Sequence, residues 1–210
     1  MEPRPREPVS RRGQPPRPAL SRAAIIGAGL QIADGEGLHA VTMRRVAAEL
    51  DTSASALYVY IRGRDDLLDA MFDHVMAEVA QAAMPKGTWR ERLSSLLIKS
   101  VKAASGHGGL AQVALSSVPS GPNAQKITGR VKALLAEGQI AEAAVPAALD
   151  LLALFVTGAA LDRVPTASFT SKQRQTRLRW EIDVILNGLS ATPPEGSRSL
   201  PQAAGPPPRK

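Results

Sequence analysis

Residues 42–61 read Thr-Met-Arg-Arg-Val-Ala-Ala-Glu-Leu-Asp-Thr-Ser-Ala-Ser-Ala-Leu-Tyr-Val-Tyr-Ile, and the spacing of their apolar side chains decides the fold. Val46, Ala47 and Leu50 recur at helical spacing behind Thr42, whose hydroxyl is placed to accept the free N–H groups of a helix start. A second short helix over 53–60, with Thr52 or Ser53 as its N-cap, buries Ala54, Leu57 and Ile61. Ser53, Ser55, Ala56, Val59 and Tyr60 fall largely on the other side, a small uncharged surface rich in hydroxyls. Such a surface suits a DNA major groove better than it suits water. Two short helices joined by a tight turn, one presenting that face, form a helix-turn-helix, and double-stranded DNA becomes the first partner to consider.

Outward from this stretch, the pattern predicts a preceding helix over 21–37. Beyond it, Ile61-Arg62-Gly63-Arg64 leads into a helix opening Asp65-Asp66-Leu67-Leu68. This order resembles the DNA-binding domain of the tetracycline-repressor (TetR) family of bacterial transcription regulators over about residues 20–80. Gly37, Thr42, Arg44, Ala47, Leu50, Leu57, Tyr58, Leu67 and Leu68 stand in the family's register. Two positions depart from it: Asp51 replaces the usual turn glycine, and Tyr60 the usual histidine. Asp tolerates the left-handed backbone a glycine would supply, so the turn is expected to survive, while Tyr60 changes one contact to the operator. The resemblance implies a DNA-contacting set of Thr42, Arg44, Arg45, Ser53, Ala54, Ser55, Tyr58, Tyr60 and Arg64. Arg44 can offer two parallel donors to a guanine edge. Arg64, at a helix N-terminus that already favours anions, is expected to meet a phosphate.

Composition agrees with an all-α chain: 44% of 210 residues are hydrophobic, and Gly and Pro cluster at the ends and a few internal breaks. There is no cysteine, which fits a reducing cytoplasm and excludes disulfide and thiolate-metal sites. No apolar signal core opens the chain, and the uncharged run 151–161 is too short for a bilayer. The expectation is therefore a cytoplasmic bacterial protein, nucleoid-associated when bound to DNA, with no membrane partner. The net charge of +7 is uneven: +4 over 1–22, −5 over 23–83, +6 over 84–190 and +2 over 191–210. Residues 1–19, rich in Pro and Arg, are expected to be a disordered basic arm, and 191–210 a disordered tail.

Residues 84–190 carry helical periodicity over 89–104, 124–137, 142–161 and 171–189, with a short apolar segment at 110–118. Through Gly121-Pro122-Asn123 and Ile185-Leu186-Asn187-Gly188-Leu189 this half resembles the tetracycline-repressor-like C-terminal domain. That resemblance implies binding of a small-molecule effector, with Trp89, His107 and Phe155 as pocket candidates. It also implies homodimerisation, for which Leu152, Phe155, Ala159, Ile182, Ile185, Leu186 and Leu189 are the expected interface. Trp89 and Trp180 read as core anchors. The resemblance implies a ligand-responsive repressor, and activation through the same surface stays open.

Other motifs are weaker. Gly27-Ala28-Gly29 after two isoleucines imitates a dinucleotide-binding turn, but position 32 is Ile and no strand pattern surrounds it. Gly106-His107-Gly108-Gly109 imitates an oxyanion loop without a nucleophile elbow. The three histidines lack metal-ligand spacing. The chain is thus expected to need no cofactor or metal and not to be an enzyme. The rival is a small-molecule-binding or catalytic helical protein with a vestigial helix-turn-helix.

Overall fold

Ser21 accepts the Ala24 N–H at 3.1 Å and starts α1 (Arg22–Glu36), which Gly37 ends at φ 88°. Thr42 accepts the Arg45 N–H at 3.1 Å and starts α2 (Met43–Glu49). Asp51 then takes φ 49°, the left-handed turn that its replacement of glycine demanded. Ser53, rather than Thr52, caps α3 (Ala54–Leu57) through the Ala56 N–H. α3 is shorter than expected: beyond Leu57 the chain continues in tight turns, with Tyr60 and Ile61 N–H groups both bonded to the Leu57 carbonyl. The computed structural model describes residues 20–107, 109–116, 120–161 and 170–191. The expected arm at 1–19 and nearly all of the tail lie outside them.

α4 (Arg64–Val75) and α5 (Ala77–Gln81) make a rod interrupted at Met76, where a single helix was expected. Leu67, Leu68, Met71 and Phe72 bury one side of α4 against Ile25, Ile32, Val46, Leu57 and Ile61. α1 crosses α4 at Gly29, where an added Cβ would stand 2.7 Å from the Met71 sulfur. The Gly-Ala-Gly turn imitation is thus a helix-packing notch.

Thr88 and Glu91 form a reciprocal capping box that starts α6 (Trp89–Ser105). α7 (Val113–Ser116), α8 (Pro122–Glu137), α9 (Val145–Ala160) and α10 (Ser171–Ser190) follow. Every regular element among the described residues is helical. Leu93, Leu96 and Leu97 of α6, Leu134 and Leu135 of α8, Leu152 of α9, and Ile182 and Leu186 of α10 form a second core. Leu110, Ala111 and Val113, placed by sequence in the C-terminal half, pack into the first. The domain boundary is therefore interleaved.

The stretch Glu142–Ala160 reaches a mean hydropathy of 1.8 over its best 18 residues, long and apolar enough to cross a membrane by length and composition, yet only 17% of that window is buried. The uncharged run that begins at Leu151 is only the second half of this helix. Leu151 and Leu154 on α9, and Trp180 and Val184 on α10, stay 44%, 60%, 66% and 50% exposed.

Candidate nucleic-acid interface and effector cleft

The helix-turn-helix stands on Val46, Leu57 and Ile61, which are 0–1% exposed. Pinning Leu57 and Ile61 inward turns the residues between them outward: Tyr58, Val59 and Tyr60 are 55%, 79% and 40% exposed. Thr42, Arg44, Ser53 and Ser55 are also exposed, and Ala54 is half-buried. The Ser53 and Ser55 hydroxyls lie 2.9 Å apart. Exposed here, therefore, are hydroxyls, aromatic rings and small methyl-bearing side chains, with Arg44 exposed on α2. Val59, the most exposed of them, was not among the expected contacts. Its signal in the sequence was an apolar residue on the face opposite Leu57 and Ile61.

The other two expected arginines are held inside the domain. The Arg45 guanidinium donates to Glu36 Oε1 at 2.7 and 3.1 Å and to Glu49 Oε2 at 2.8 Å. That hydrogen bond holds the Glu36 carboxyl below its ordinary range. Arg64 donates through Nε to the Val41 carbonyl at 2.7 Å and through Nη2 to that of Leu38 at 3.1 Å. It ties the start of α4 to the turn before α2, and so braces the motif from behind. Arg62 is different: its side chain is 91% exposed, with only a 3.6 Å approach to Asp66.

An open cleft of about 810 Å³ lies between α6, α9 and α10. Ile98, Val101, Phe155, Leu178 and Ile185 give it an apolar lining, Trp180 stands on one wall, and Lys102, Arg174, Arg177 and Glu181 add charge. Of the three expected pocket residues only Phe155 lines it. Trp89 packs over Gly138, where an added Cβ would meet the ring at 2.6 Å, so it anchors the end of α8. His107 Nδ1 sits 3.1 Å from Asp34, tying the loop after α6 to the last turn of α1. Trp180, expected in the core, is the second aromatic residue beside Phe155 that reaches the cleft.

Three of the expected interface residues are already buried within the chain. Ile182 and Leu186 are 0% exposed and Leu152 is 3% exposed within a single chain. Phe155, Ile185 and Leu189 are half-buried against the same core, and Ala159 lines the cleft. Ile182, Leu186 and Leu152 therefore serve the chain's own core. Arg90 fixes α10 there, donating to Asn187 Oδ1 and Ser190 Oγ at 2.8 Å and to the Leu186 carbonyl at 3.3 Å. The exposed apolar residues of α9 and α10 are Leu151, Leu154, Trp180 and Val184, the last three of which also line the open cleft.

A family model described as bacterial regulatory proteins, tetR family, matches residues 25–71, and one described as tetracyclin repressor-like, C-terminal domain, matches residues 81–191. The chain belongs to the TetR family. It is 34% identical over 146 residues to the HTH-type transcriptional repressor DrrR1 of Streptomyces coeruleorubidus, covering 69% of this chain and 54% of that protein. It is 28% identical over 142 residues to an HTH-type transcriptional regulator of Saccharopolyspora erythraea, covering 68% of this chain and 60% of that one. The chain thus spans little more than half the length of these curated relatives. Apo ActR from Streptomyces coelicolor superimposes with a TM-score of 0.71 at 31% identity, over 81% of this chain and 95% of that one. ActR has also been solved in complex with actinorhodin, with a TM-score of 0.71 at 30% identity, over 81% of this chain and 95% of that one. Both halves of the TetR fold are therefore present, joined as in a solved relative.

Proposed function

We propose that the chain is a ligand-responsive, DNA-binding transcriptional regulator, a repressor that releases its operator when a small molecule occupies the cleft between α6, α9 and α10. The observation that carries the DNA-binding part is the exposed patch of Tyr58, Val59 and Tyr60 beside Arg44, raised on the buried Leu57 and Ile61. Three adjacent exposed apolar or aromatic residues are costly in water. They fit a groove whose floor offers thymine methyls and base edges. The repressor named among the relatives, and the TetR-family protein solved with a bound small molecule, support the same reading.

The cleft's volume falls in the range of small-molecule sites, and its lining suits a flat apolar ligand. Three cations against one carboxylate on its walls favour an anionic group on that ligand. Two chains would associate through the exposed sides of α9 and α10, which leave Leu151, Leu154, Trp180 and Val184 in water, so the partner would border the open cleft that the last three also line. A two-fold pair presents two reading heads to an inverted repeat. The regulator would act in the cytoplasm, and regulation needs no catalytic step by this chain. Among the described residues no cluster of three His, Asp or Glu side chains could hold a metal.

The test is an electrophoretic mobility shift with DNA from upstream of its own gene. A discrete complex that survives excess unrelated duplex, and that weakens as salt rises, is expected. Binding that unrelated duplex removes completely would overturn the assignment.

A further inference from the structure

We propose that α8 sets the orientation of the reading head by exchanging helix-end caps with the α4–α5 rod, and that Asp73 is the positioning residue of this exchange. The inference rests on the DNA-binding reading above and goes beyond it by naming the element that aims the reading surface.

α8 begins without a cap of its own. Its N-cap is Gly121, which has no side chain to accept the free N–H groups, and its first turn contains no acid. The missing acceptor comes from another helix. Asp73 of α4 accepts the backbone N–H groups of Asn123 and Ala124 on Oδ1, each at 3.0 Å. The Asn123 side-chain amide returns two bonds, to Asp73 Oδ2 at 2.9 Å and to the Asp73 carbonyl at 3.1 Å. A Cβ at position 121 would lie 2.2 Å from that carboxylate. The Gly-Pro-Asn sequence therefore has a physical account. Glycine admits the carboxylate, proline occupies a first-turn position that needs no donor, and asparagine locks the pair.

Two turns further along α8, the favour is reversed. Arg130 donates from Nη1 to the carbonyls of Val79 and Ala82, at 3.2 and 3.0 Å. These carbonyls lie at the C-terminal end of α5, where a cation complements the helix dipole. So α4 gives an anion to the start of α8, and α8 gives a cation to the end of α5. The two attachments stand seven residues apart on α8, about 10 Å along the axis. They also straddle the break at Met76. Two separated points fix rotation as well as position, which a single apolar contact cannot do.

The rod so held is the one that supports the reading head, because Leu67, Leu68 and Met71 of α4 belong to the same core as Leu57 and Ile61. The rest of α8 is rooted in the second core through Val131, Leu134 and Leu135, beside Leu96 and Leu97 of α6 and Leu152 of α9. Residues of α6 and α9 line the cleft. A shift of α6 or α9 reaches α4 through α8, and Asp73 is where it arrives. Coupling of this kind needs a demonstrated energetic link rather than proximity, so the test is a double-mutant cycle with a geometric readout.

The chain has no cysteine, so a single nitroxide can be placed at Gln31, which is exposed on α1, and the distance between labels in the dimer measured by pulsed electron paramagnetic resonance. Affinity is read by anisotropy on a duplex selected by the parent from random DNA. The parent should give a narrow distance distribution. Asp73→Ala and Asn123→Ala should each broaden it and weaken binding about tenfold, and the double variant should be no worse than either alone. Arg130→Gln, at a half-buried site, should broaden it as well and serves if Asp73→Ala does not fold. Variants that melt earlier but keep the parent's distances and affinity would reduce Asp73 to a stabilising cap and overturn the proposal. A parent that selects no duplex would overturn the DNA-binding reading itself, and this inference with it.

Discussion

A negative charge placed at position 184 should separate the subunits, whereas the same charge two residues later should unfold the chain. Leu186 is 0% exposed in the single chain and Val184 is 50% exposed. Truncating Leu186 to Ala removes a fully buried side chain, a change that costs about 2–5 kcal/mol. At about 2–4 °C per kcal/mol for a protein of this size, the melting midpoint should fall on the order of 5–15 °C. Leu186→Glu adds an unpaired buried charge worth several kcal/mol more, against a total stability of about 5–15 kcal/mol. It should lose cooperative melting altogether. Val184→Glu leaves its carboxylate in water in the single chain, where surface changes stay within about 0.5 kcal/mol. In a two-fold interface the same carboxylate is desolvated twice. At about 1.5–3 kcal/mol each, the dimer weakens by two to four decades in Kd. Sedimentation velocity with circular dichroism separates the cases: Val184→Glu helical and monomeric, Leu186→Glu unfolded. A Val184→Glu protein that sediments like the parent, or a Leu186→Glu protein that is folded and monomeric, would refute this assignment of faces.

Arg44→Ala should leave melting unchanged but relax sequence preference, by about 1–3 kcal/mol at one base pair. Arg64→Ala should instead lower domain stability by about 1–3 kcal/mol, because it removes the guanidinium donor from the Val41 carbonyl and leaves the Leu38 carbonyl with the Val41 N–H as its remaining backbone donor; equal melting of Arg64→Ala and parent would contradict the bracing role. In a Trp89→Phe background Trp180 is the remaining tryptophan, and anthraquinone-2-carboxylate should quench its emission at lower concentration than uncharged anthraquinone does. Equal quenching would remove the case for an anionic effector. The Glu91 carboxyl is held below its ordinary range by the Thr88 backbone N–H and then its hydroxyl. Its contribution to stability is therefore present above the unfolded carboxylate range and is lost as pH falls through the lowered folded value. Thermal melts of Glu91→Ala and parent should differ at pH 7 and converge toward about pH 3.

Much of the fold was legible because its signals are local. Thr42, Ser53 and Thr88 cap helices within three residues of themselves, and Asp51 adopts the turn its position required. What escaped were choices made between distant segments. Periodicity finds the apolar stripe on α10 but cannot say whether the stripe meets its own core or a partner, and here Ile182 and Leu186 meet the core. Trp180 looked like a core residue because tryptophan is large and apolar, yet α10 turns it outward. His107 and Trp89 are polar or aromatic residues near loops, which suggested a pocket. Only the packing of Trp89 on Gly138, and of His107 on Asp34, shows where each is used. The break at Met76 carried no glycine or proline to announce it.

The arginines of the N-terminal domain make the same point in energetic terms. The stretch 23–83 carries a net charge of −5 with only Arg44, Arg45, Arg62 and Arg64 as cations, a poor candidate for a polyanion on charge alone. Arg45 is held between Glu36 and Glu49, so it neutralises the domain's own acids. Arg64 is spent on two carbonyls. The domain's own acids Asp65 and Asp66 lie in the first turn of α4, where the helix dipole stabilises them and where Asp66 accepts the Arg62 N–H at 2.9 Å. The surface proposed to face the groove is therefore almost uncharged, with Arg44 and the 91%-exposed Arg62 as its nearest cations in sequence. On the DNA-binding reading, such a surface would read base edges by shape and hydroxyl contact and draw little from the phosphates. Long-range attraction must then come from elsewhere in the chain, and residues 1–22, with a net charge of +4, are the strongest source that adjoins the reading head in sequence.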